Sequence, residues 1–375
     1  MAGIYIHIPF CKQACNYCNF HFSTSTKNYA AMVSALLLEI ALQRHYLQGA
    51  TIQTIYIGGG TPSLLPVEDV MKLLDQIANH FSITATPEIT LEANPDDLNN
   101  TYLSALRQTP VNRLSIGIQS FYDDDLRYMH RAHNATEAEN CLMAAQDFGF
   151  ENISVDLIYA TPNMTQMQWE YNVQKVMQLK IPHISCYSLT VEPKTALHTL
   201  IKKKQLPPPE DEQAEVQFAT LMNLAQIHGY EHYEVSNFCL PDRYAQHNTN
   251  YWRGVPYLGI GASAHSFNQV SRQWNVANNA LYVKALEQGV VPFEMEALTI
   301  AQQYNEYVML SLRTMWGCDA SKITLFGEEM YQYFLINVEP LVAARKLVQH
   351  DTVYYIPPAY RFQSDGIASD LFWVE

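Results

Sequence analysis

Cys11, Cys15 and Cys18 fall within eight positions of one another in the stretch FCKQACNYCNF. Thiols at C-x3-C-x2-C spacing can converge on one metal centre, and two centres compete. A zinc ion takes four nitrogen or sulfur ligands, so His7 or His21 would have to supply the fourth. An iron–sulfur cluster normally takes four thiolates, and three leave one iron open to substrate or cofactor. The third reading is three unligated thiols. A short β-rich run, GIYIHI, precedes the cysteines and sets them at the end of a strand. That placement suits a cofactor site, whereas a structural zinc more often staples a small module without its own core. Cys141, Cys186, Cys239 and Cys318 have no near cysteine neighbour and read as packing residues.

Other residues able to do chemistry stand at similar places. Gly58, Gly59 and Gly60 end the strand-like run TIYIGGG. Glycines there permit positive φ and close backbone approach to a ligand; the plain alternative is a tight turn. No Lys-Ser/Thr follows, so this is not a phosphate loop of the GxxxxGK[ST] type. Glu92, Gln119 and Asp156 each fall at or near the end of a strand pattern, and Arg131 lies twelve residues beyond Gln119. Taken singly, each is a helix cap or an ion pair. Together, at successive strand ends, they read as a set of ligand-contacting groups.

The elements that must position these residues alternate. Strand patterns at 3–8, 54–60, 88–95, 113–120, 152–159 and 183–190 are separated by helical patterns at 29–47, from 67, 123–148, to about 179 and 211–228. Asp96 and Asp97 suit the capping of a helix after the third strand. Several strands read as apolar on both faces. Six βα units predict a parallel sheet with right-handed crossovers, as a doubly wound sheet or an incomplete barrel, with ligands at the strand C-terminal ends. From about 230 the alternation fades. HYEVSNF reads as a further strand, and QHNTNYWRG and GIGASAHSF read as loops with special chemistry. From about 299, three helical patterns and a hairpin-like stretch predict a small winged-helix-like domain. The expected division is 1–290 for the barrel and its extension, and 291–375 for the second domain.

Composition narrows the function classes. The 375 residues carry a net charge of −14 and are 48% hydrophobic. That charge argues against a broad nucleic-acid footprint, and the basic run Lys202, Lys203, Lys204 reads as a solvated loop. No run of 18 uncharged apolar residues predicts a membrane span. The start, MAGIYIHIPFC, has no signal-peptide pattern, so a cytoplasmic location is expected. In that compartment seven cysteines point to metal or chemistry before disulfides.

The string YIHIPFCKQACNYCNF, with Tyr17 just before the last cysteine, resembles the radical S-adenosylmethionine superfamily. Within it the string is similar to the branch of oxygen-independent coproporphyrinogen III oxidases and HemW heme chaperones. GGGTPS, EANP, RLSIGIQS, HNTNYW and SLRTMWG carry the resemblance in order from residue 5 to about 317. It implies a partial (β/α)6 barrel and a [4Fe-4S] cluster on Cys11, Cys15 and Cys18. The open iron would chelate S-adenosylmethionine, whose one-electron cleavage gives a 5′-deoxyadenosyl radical. It further implies cofactor contacts from Tyr5, Tyr17, Gly59, Gly60, Thr61, Glu92, Gln119, Arg131 and Asp156.

The stretch H-N-x-x-Y-W resembles a signature associated with heme binding in the HemW family. On that reading His247 ligates heme iron, Tyr251 and Trp252 stack on the porphyrin, and Arg253 meets a propionate. The plain alternative is a loop locked by hydrogen bonds. His265 is a second candidate ligand, where a hydrogen-bonded structural histidine also fits. Phe20 stands where the oxidase pattern carries an additional cysteine, and Tyr5 lies only four residues after Met1. Both features favour the HemW side. Asn19 replaces an expected Asp, and IYATPNMT lacks the glycines usual after the fifth strand, which affects the adenosine pocket. The resemblance therefore implies heme as cargo, heme-accepting proteins as partners, membrane-associated ones included, an electron donor and a homodimer. The alternatives are a coproporphyrinogen III oxidase and a zinc-stapled binding protein.

Overall fold

The computed structural model describes residues 1–374. Six strands form its centre: β1 (Ala2–Ile8), β2 (Ile52–Gly59), β3 (Ile83–Ala93), β4 (Arg113–Gln119), β5 (Ile153–Tyr159) and β6 (His183–Ser188). Each pairs in parallel with the next. The helices between and after them are α1 (Tyr29–Leu42), α2 (Val67–His80), α3 (Asn100–Leu106), α4 (Asp123–Tyr128), α5 (Ala135–Asp147), α6 (Gln166–Gln178), α7 (Ala196–Lys202) and α8 (Asp211–Ile227). Parallel neighbours require a crossover, and these helices supply it on the outer face. The result is the partial (β/α)6 barrel that the resemblance implied, one of the two forms the alternation allowed.

Outward residues Ile4, Ile6, Ile55, Ile57, Leu91, Leu114, Ile116, Val155 and Leu157 join Leu36, Leu73, Leu142, Trp169 and Val173 in one hydrophobic core. Each such side chain contributes roughly 1.5–3 kcal/mol by leaving water. The expectation of strands apolar on both faces is corrected here. Most of the residues that face inward are polar or small: Tyr56, Glu92, Ser115, Gly117, Asp156 and Ser185 line one interior cavity, with Ile158 an apolar exception. A barrel interior that holds a polar ligand needs hydrogen-bonding walls, so only the helix-facing side is apolar.

Several local expectations also change. Asp96 and Asp97 cap no helix; Asn99 caps α3 through its side chain, while Asp97 accepts from Ser63 and pairs with Lys12. The helical stretch 123–148 breaks into α4 and α5, and α5 restarts with a capping box of Asn134 and Glu137. HYEVSNF folds as two short strands, β7 (Glu231–Glu234) and β8 (Asn237–Cys239), and β8 pairs antiparallel with β6. QHNTNYW is not a loop but helix α9 (Gln246–Trp252). The buried Glu88 carboxylate accepts from the amides of Gln246 and His247 at 3.1 and 2.9 Å, which satisfies two free donors of that helix start.

GIGASAHSF is likewise not a loop: it supplies β9 (Tyr257–Ile260) and β10 (His265–Phe267). β9 pairs in parallel with β1, and β10, β11 (Ser271–Asn275) and β12 (Phe293–Ala297) extend the sheet antiparallel. The sheet is open, with β12 and β7 as its edges among the described residues. Helix α10 (Asn279–Glu287) covers the extension.

Beyond it lie α11 (Ile300–Leu312), β13 (Cys318–Asp319), α12 (Ala320–Ile323), α13 (Glu328–Ala343), β14 (Val348–His350), β15 (Val353–Tyr355) and α14 (Ser364–Ser369). The three strands form a separate small sheet. A second core of Tyr304, Val308, Leu312, Ile323, Phe334, Val338, Tyr354 and Leu371 holds this part together. No helix among the described residues is long and apolar enough to cross a membrane.

Candidate functional site

The cysteine loop follows β1 and has little regular structure, so its shape comes from ties to its neighbours. Cys11 donates its amide to Ser23 O at 3.1 Å, and Asn16 donates its amide to Met129 O at 3.0 Å. Asn16 also donates its side-chain amide to Tyr128 O at 2.9 Å and accepts the Leu197 amide at 2.7 Å. His130 donates to Ala14 O at 2.8 Å. Lys12 forms ion pairs with Asp96 and Asp97. Together these bonds turn all three thiols toward the end of the barrel.

Cys11, Cys15 and Cys18 line one cavity of about 440 Å³ with Tyr17, Gly59, Gly60, Thr61, Glu92, Gln119, Arg131 and Asp156. That volume is within the range of small-molecule and cofactor sites. Gly60 is required by space: a Cβ there would lie 2.5 Å from Phe10 O and 3.0 Å from Cys11 Sγ. Gly59 takes φ +110° and donates its amide to Glu92 Oε2 at 3.1 Å. Glu92 Oε1 accepts from the Tyr56 hydroxyl at 2.7 Å. Burial, with Asp156 nearby, pushes the Glu92 carboxyl up to about 7. Burial likewise pushes Asp156 up to about 6, against hydrogen bonds from Ser185 and Ser115.

Arg131 donates to Asn94 Oδ1 at 2.7 Å and Gly117 O at 2.8 Å, and its Nη1 lies 3.4 Å from both Cys15 Sγ and the Tyr17 hydroxyl. Burial works to lower its pKa, but Tyr17 and Cys15 outweigh burial and hold it cationic. Burial pushes the Cys11 thiol up to about 11 and raises Cys18. A metal centre at these sulfurs would draw off their protons on binding. Gln119 sits at φ +66°, a conformation that costs a non-glycine residue of order 1–3 kcal/mol and clusters at functional sites.

Not every predicted residue comes to this cavity. Tyr5 lines a second cavity with His7, His21, Tyr251, Tyr257 and His265. His7 donates to His21 O at 2.8 Å and accepts from the Tyr5 hydroxyl at 3.0 Å, so neither ring nitrogen is free for zinc. His247 is 2% exposed. Its Nδ1 bonds Thr54 Oγ1 at 2.7 Å, its Nε2 bonds the Tyr251 hydroxyl at 2.8 Å, and its ring stacks on Tyr56 at 5.2 Å. As a heme ligand it would have to give up one of these two bonds; here it also braces Tyr56, which in turn holds Glu92. Trp252 and Arg253 line neither of these two cavities. Trp252 lies under Arg313, and Arg253 lies over Trp316.

Tyr56, Asn94 and Ser115 also line the first cavity, and the sequence reading passed over them. The signal was present: Asn94 lies two residues beyond Glu92, Ser115 pairs with Glu92 across β4, and Tyr56 pairs with Thr90 across β2, all on the inner face.

The family profile described as the radical SAM superfamily matches residues 5–175. The protein named heme chaperone HemW from Bacillus subtilis is 35% identical over 321 residues, spanning 84% of each chain. The protein of the same name from Lactococcus lactis is 33% identical over 357 residues, spanning 92% of each chain. This chain belongs to the HemW family. The structure of coproporphyrinogen III oxidase (HemN) from Escherichia coli matches with a TM-score of 0.85 at 23% identity, covering 99% of this chain and 90% of that one. That likeness shows that this HemW-family chain has the HemN fold. Membership of the radical SAM superfamily implies a [4Fe-4S] cluster and S-adenosylmethionine, and the three-thiol cavity has the donors and the room for both.

Proposed function

We propose that this chain is a heme chaperone that binds heme and delivers it to acceptor heme proteins, carrying a [4Fe-4S] cluster and S-adenosylmethionine. The observation that supports it is the single cavity shared by three thiols and by Glu92, Gln119, Arg131 and Asp156, in a chain of the HemW family. Cys11, Cys15 and Cys18 hold the cluster, which supplies one electron for cleavage of the sulfonium when reduced by a donor protein. Gly59 and Gly60 let the backbone approach the methionine end of the cofactor. Glu92, fixed by Tyr56 and the Gly59 amide, accepts from its ammonium group or a ribose hydroxyl. Arg131 meets its carboxylate, and Gln119 and Asp156 take ribose hydroxyls. Tyr17, Ile158 and Leu189 give the cavity its apolar wall.

A second reading, oxidation of coproporphyrinogen III, is supported by the shared fold. Phe20, at the position of the oxidase's additional cysteine, weighs against it. One anaerobic experiment separates the two. Reconstituted protein is given coproporphyrinogen III, S-adenosylmethionine and reductant, and in parallel is loaded with hemin and mixed with a heme-free acceptor. Heme transfer without protoporphyrinogen is the expected result. Protoporphyrinogen over multiple turnovers would replace the chaperone reading with the oxidase.

A further inference from the structure

We propose that the exposed face of α7, with the lysines at its C-terminal end, is the docking surface for an acidic one-electron carrier protein that reduces the cluster. This rests on the reading that Cys11, Cys15 and Cys18 hold a cluster. It adds where the electron enters and the charge of the protein that brings it.

The first observation is the distribution of charge. The chain has 23 lysines and arginines against 37 acidic residues. Yet from Pro193 to Pro209 it carries Lys194, Lys202, Lys203 and Lys204 and no Asp or Glu. All four lysines are exposed, and none forms an ion pair among the described residues. The run that reads as a solvated loop in the sequence is the end of a helix. Lys202 is the last residue of α7, Lys203 caps it, and Lys204 turns the chain away at φ +58°. Leu197 and Ile201 pack inward, so His198 with Lys202 and Thr199 with Lys203 share the solvent side.

The second observation is where that helix is seated. Leu197 donates its amide to Asn16 O at 2.7 Å, between Cys15 and Cys18. Leu197 also joins Leu126, Tyr128 and Met129 in a small apolar cluster, and Tyr17, the neighbour of Cys18, packs against it. α7 is therefore tied to the cysteine loop. At 1.5 Å of rise per residue, Lys202 lies roughly 8 Å along the axis from the Leu197 hydrogen bond. Ser188, Leu189, Thr190 and Glu192, just before α7, line the cofactor cavity, whereas none of residues 194–204 does. A protein resting on α7 comes close to the thiol loop and leaves the cavity lining to small molecules.

The step itself moves one electron: the carrier is oxidised by one electron, the cluster is reduced by one, and no bond forms or breaks. Such encounters use small interfaces, and opposed charges speed them. A basic island on an otherwise acidic chain selects an acidic carrier. An anionic membrane would match the charge too, but stable anchoring takes a second, apolar element. No large apolar side chain from 188 to 215 is exposed.

The test uses the full chain with its cluster reconstituted. The probe is an acidic flavodoxin reduced to the hydroquinone, and photoreduced deazaflavin is the small neutral reductant. Wild type is compared with Lys202→Glu, Lys203→Glu and Lys204→Glu combined. A control combines Lys180→Glu, Lys284→Glu and Lys322→Glu, at exposed lysines elsewhere. Loss of cluster absorbance is followed at several salt concentrations. Reduction of wild type by flavodoxin should slow steeply as salt rises, and the α7 variant should be about tenfold slower or more at low salt with a flat salt profile. The control variant should stay nearer wild type, and deazaflavin should reduce all three alike. Carbodiimide cross-linking to oxidised flavodoxin, which needs no electron transfer, should map to the α7 lysines. Reduction of the α7 variant at the control's rate, or cross-links confined to other lysines, would overturn the proposal and leave the cluster reading standing. Binding to phosphatidylserine vesicles that the α7 variant loses, with its reduction by flavodoxin unchanged, would assign the lysines to a membrane surface instead. Failure of the reconstituted wild type to hold iron and sulfide would sink the cluster reading itself.

Discussion

The Arg253 guanidinium lies over the Trp316 ring, 4.3 Å from its centroid. In the opposite sense, Arg313 lies over Trp252 at 5.2 Å. The two stretches HNTNYWR and SLRTMWG thus exchange an arginine for a tryptophan across the junction between barrel and C-terminal region. The same α9 carries His247, stacked on the Tyr56 that holds Glu92. Trp252 and Arg253 are therefore seated by this junction.

Arg253→Ala is expected to cost about 0.5–1 kcal/mol of stability, the usual worth of a cation–π pair at an exposed arginine. A double-mutant cycle with Trp316→Leu, read from denaturant midpoints, should give a coupling of about 0.5–1 kcal/mol. Strict additivity of the two changes would show that the contact is incidental.

Cys11→Ala, Cys15→Ala and Cys18→Ala should each abolish the cluster, read as iron and sulfide per chain and as absorbance near 400 nm. Gly60→Ala should do the same with the thiols intact, because its Cβ would collide with Phe10 O and crowd Cys11 Sγ. Circular dichroism should stay near wild type in all four. Full cluster content in any cysteine variant would end the assignment of that ligand.

Affinity for S-adenosylmethionine should rise between pH 6 and pH 8. Burial holds the Glu92 carboxyl up at about 7, so its anion, the form that pairs with an ammonium group, is the minority species at pH 6. Glu92→Gln should bind more weakly at pH 8 and show a flat profile. Calorimetric titration at several pH values measures both; an unchanged slope in the variant would remove Glu92 from the contact set.

Glu39 is a buried carboxylate that accepts from Gly261 N at 2.8 Å, Asn275 Nδ2 at 2.6 Å and the Tyr282 hydroxyl. It ties α1 to the β9–β11 extension. Burial raises its pKa to about 7, only partly offset by these donors. A raised folded-state value means folding favours the protonated form. That contribution is full below the ordinary value near 4.5 and is lost as pH rises through about 7. Urea unfolding at pH 5.5 and 8 should show the decline, on the order of 2–3 kcal/mol at most. Glu39→Gln should flatten it. Glu39→Ala strands three buried donors and should cost roughly 2–4 kcal/mol at either pH.

Ala160, in IYATPNMT, adopts φ +62°. The departure noted in the sequence, an absence of glycine after the fifth strand, thus places a Cβ in the left-handed region. Ala160→Gly should relieve it and raise stability on the order of 0.5–1 kcal/mol. A thermal midpoint that falls instead would mean that packing of the buried methyl outweighs the backbone relief.

Much of this was legible in the residues alone. Three thiols at C-x3-C-x2-C spacing, glycines after a strand and polar residues at strand ends are local patterns. Their places at strand ends put them at one end of a parallel sheet, while ties to Tyr128, Met129, His130 and Leu197 give the cysteine loop its shape. The alternation of elements narrowed the fold to a doubly wound sheet or an incomplete barrel, because parallel neighbours demand crossovers and leave few topologies open.

Only tertiary structure decided the rest. QHNTNYW reads as a loop because its helix start is satisfied by Glu88, distant in sequence. His247 reads as a free ligand until Thr54, Tyr56 and Tyr251 close on it. His265 and His247 look alike as letters in a string. What separates them is which one finds partners for both nitrogens, and burial against residues far along the chain settles that. A residue's type and spacing determine what chemistry it can do, and long-range packing determines whether its lone pairs are already spent.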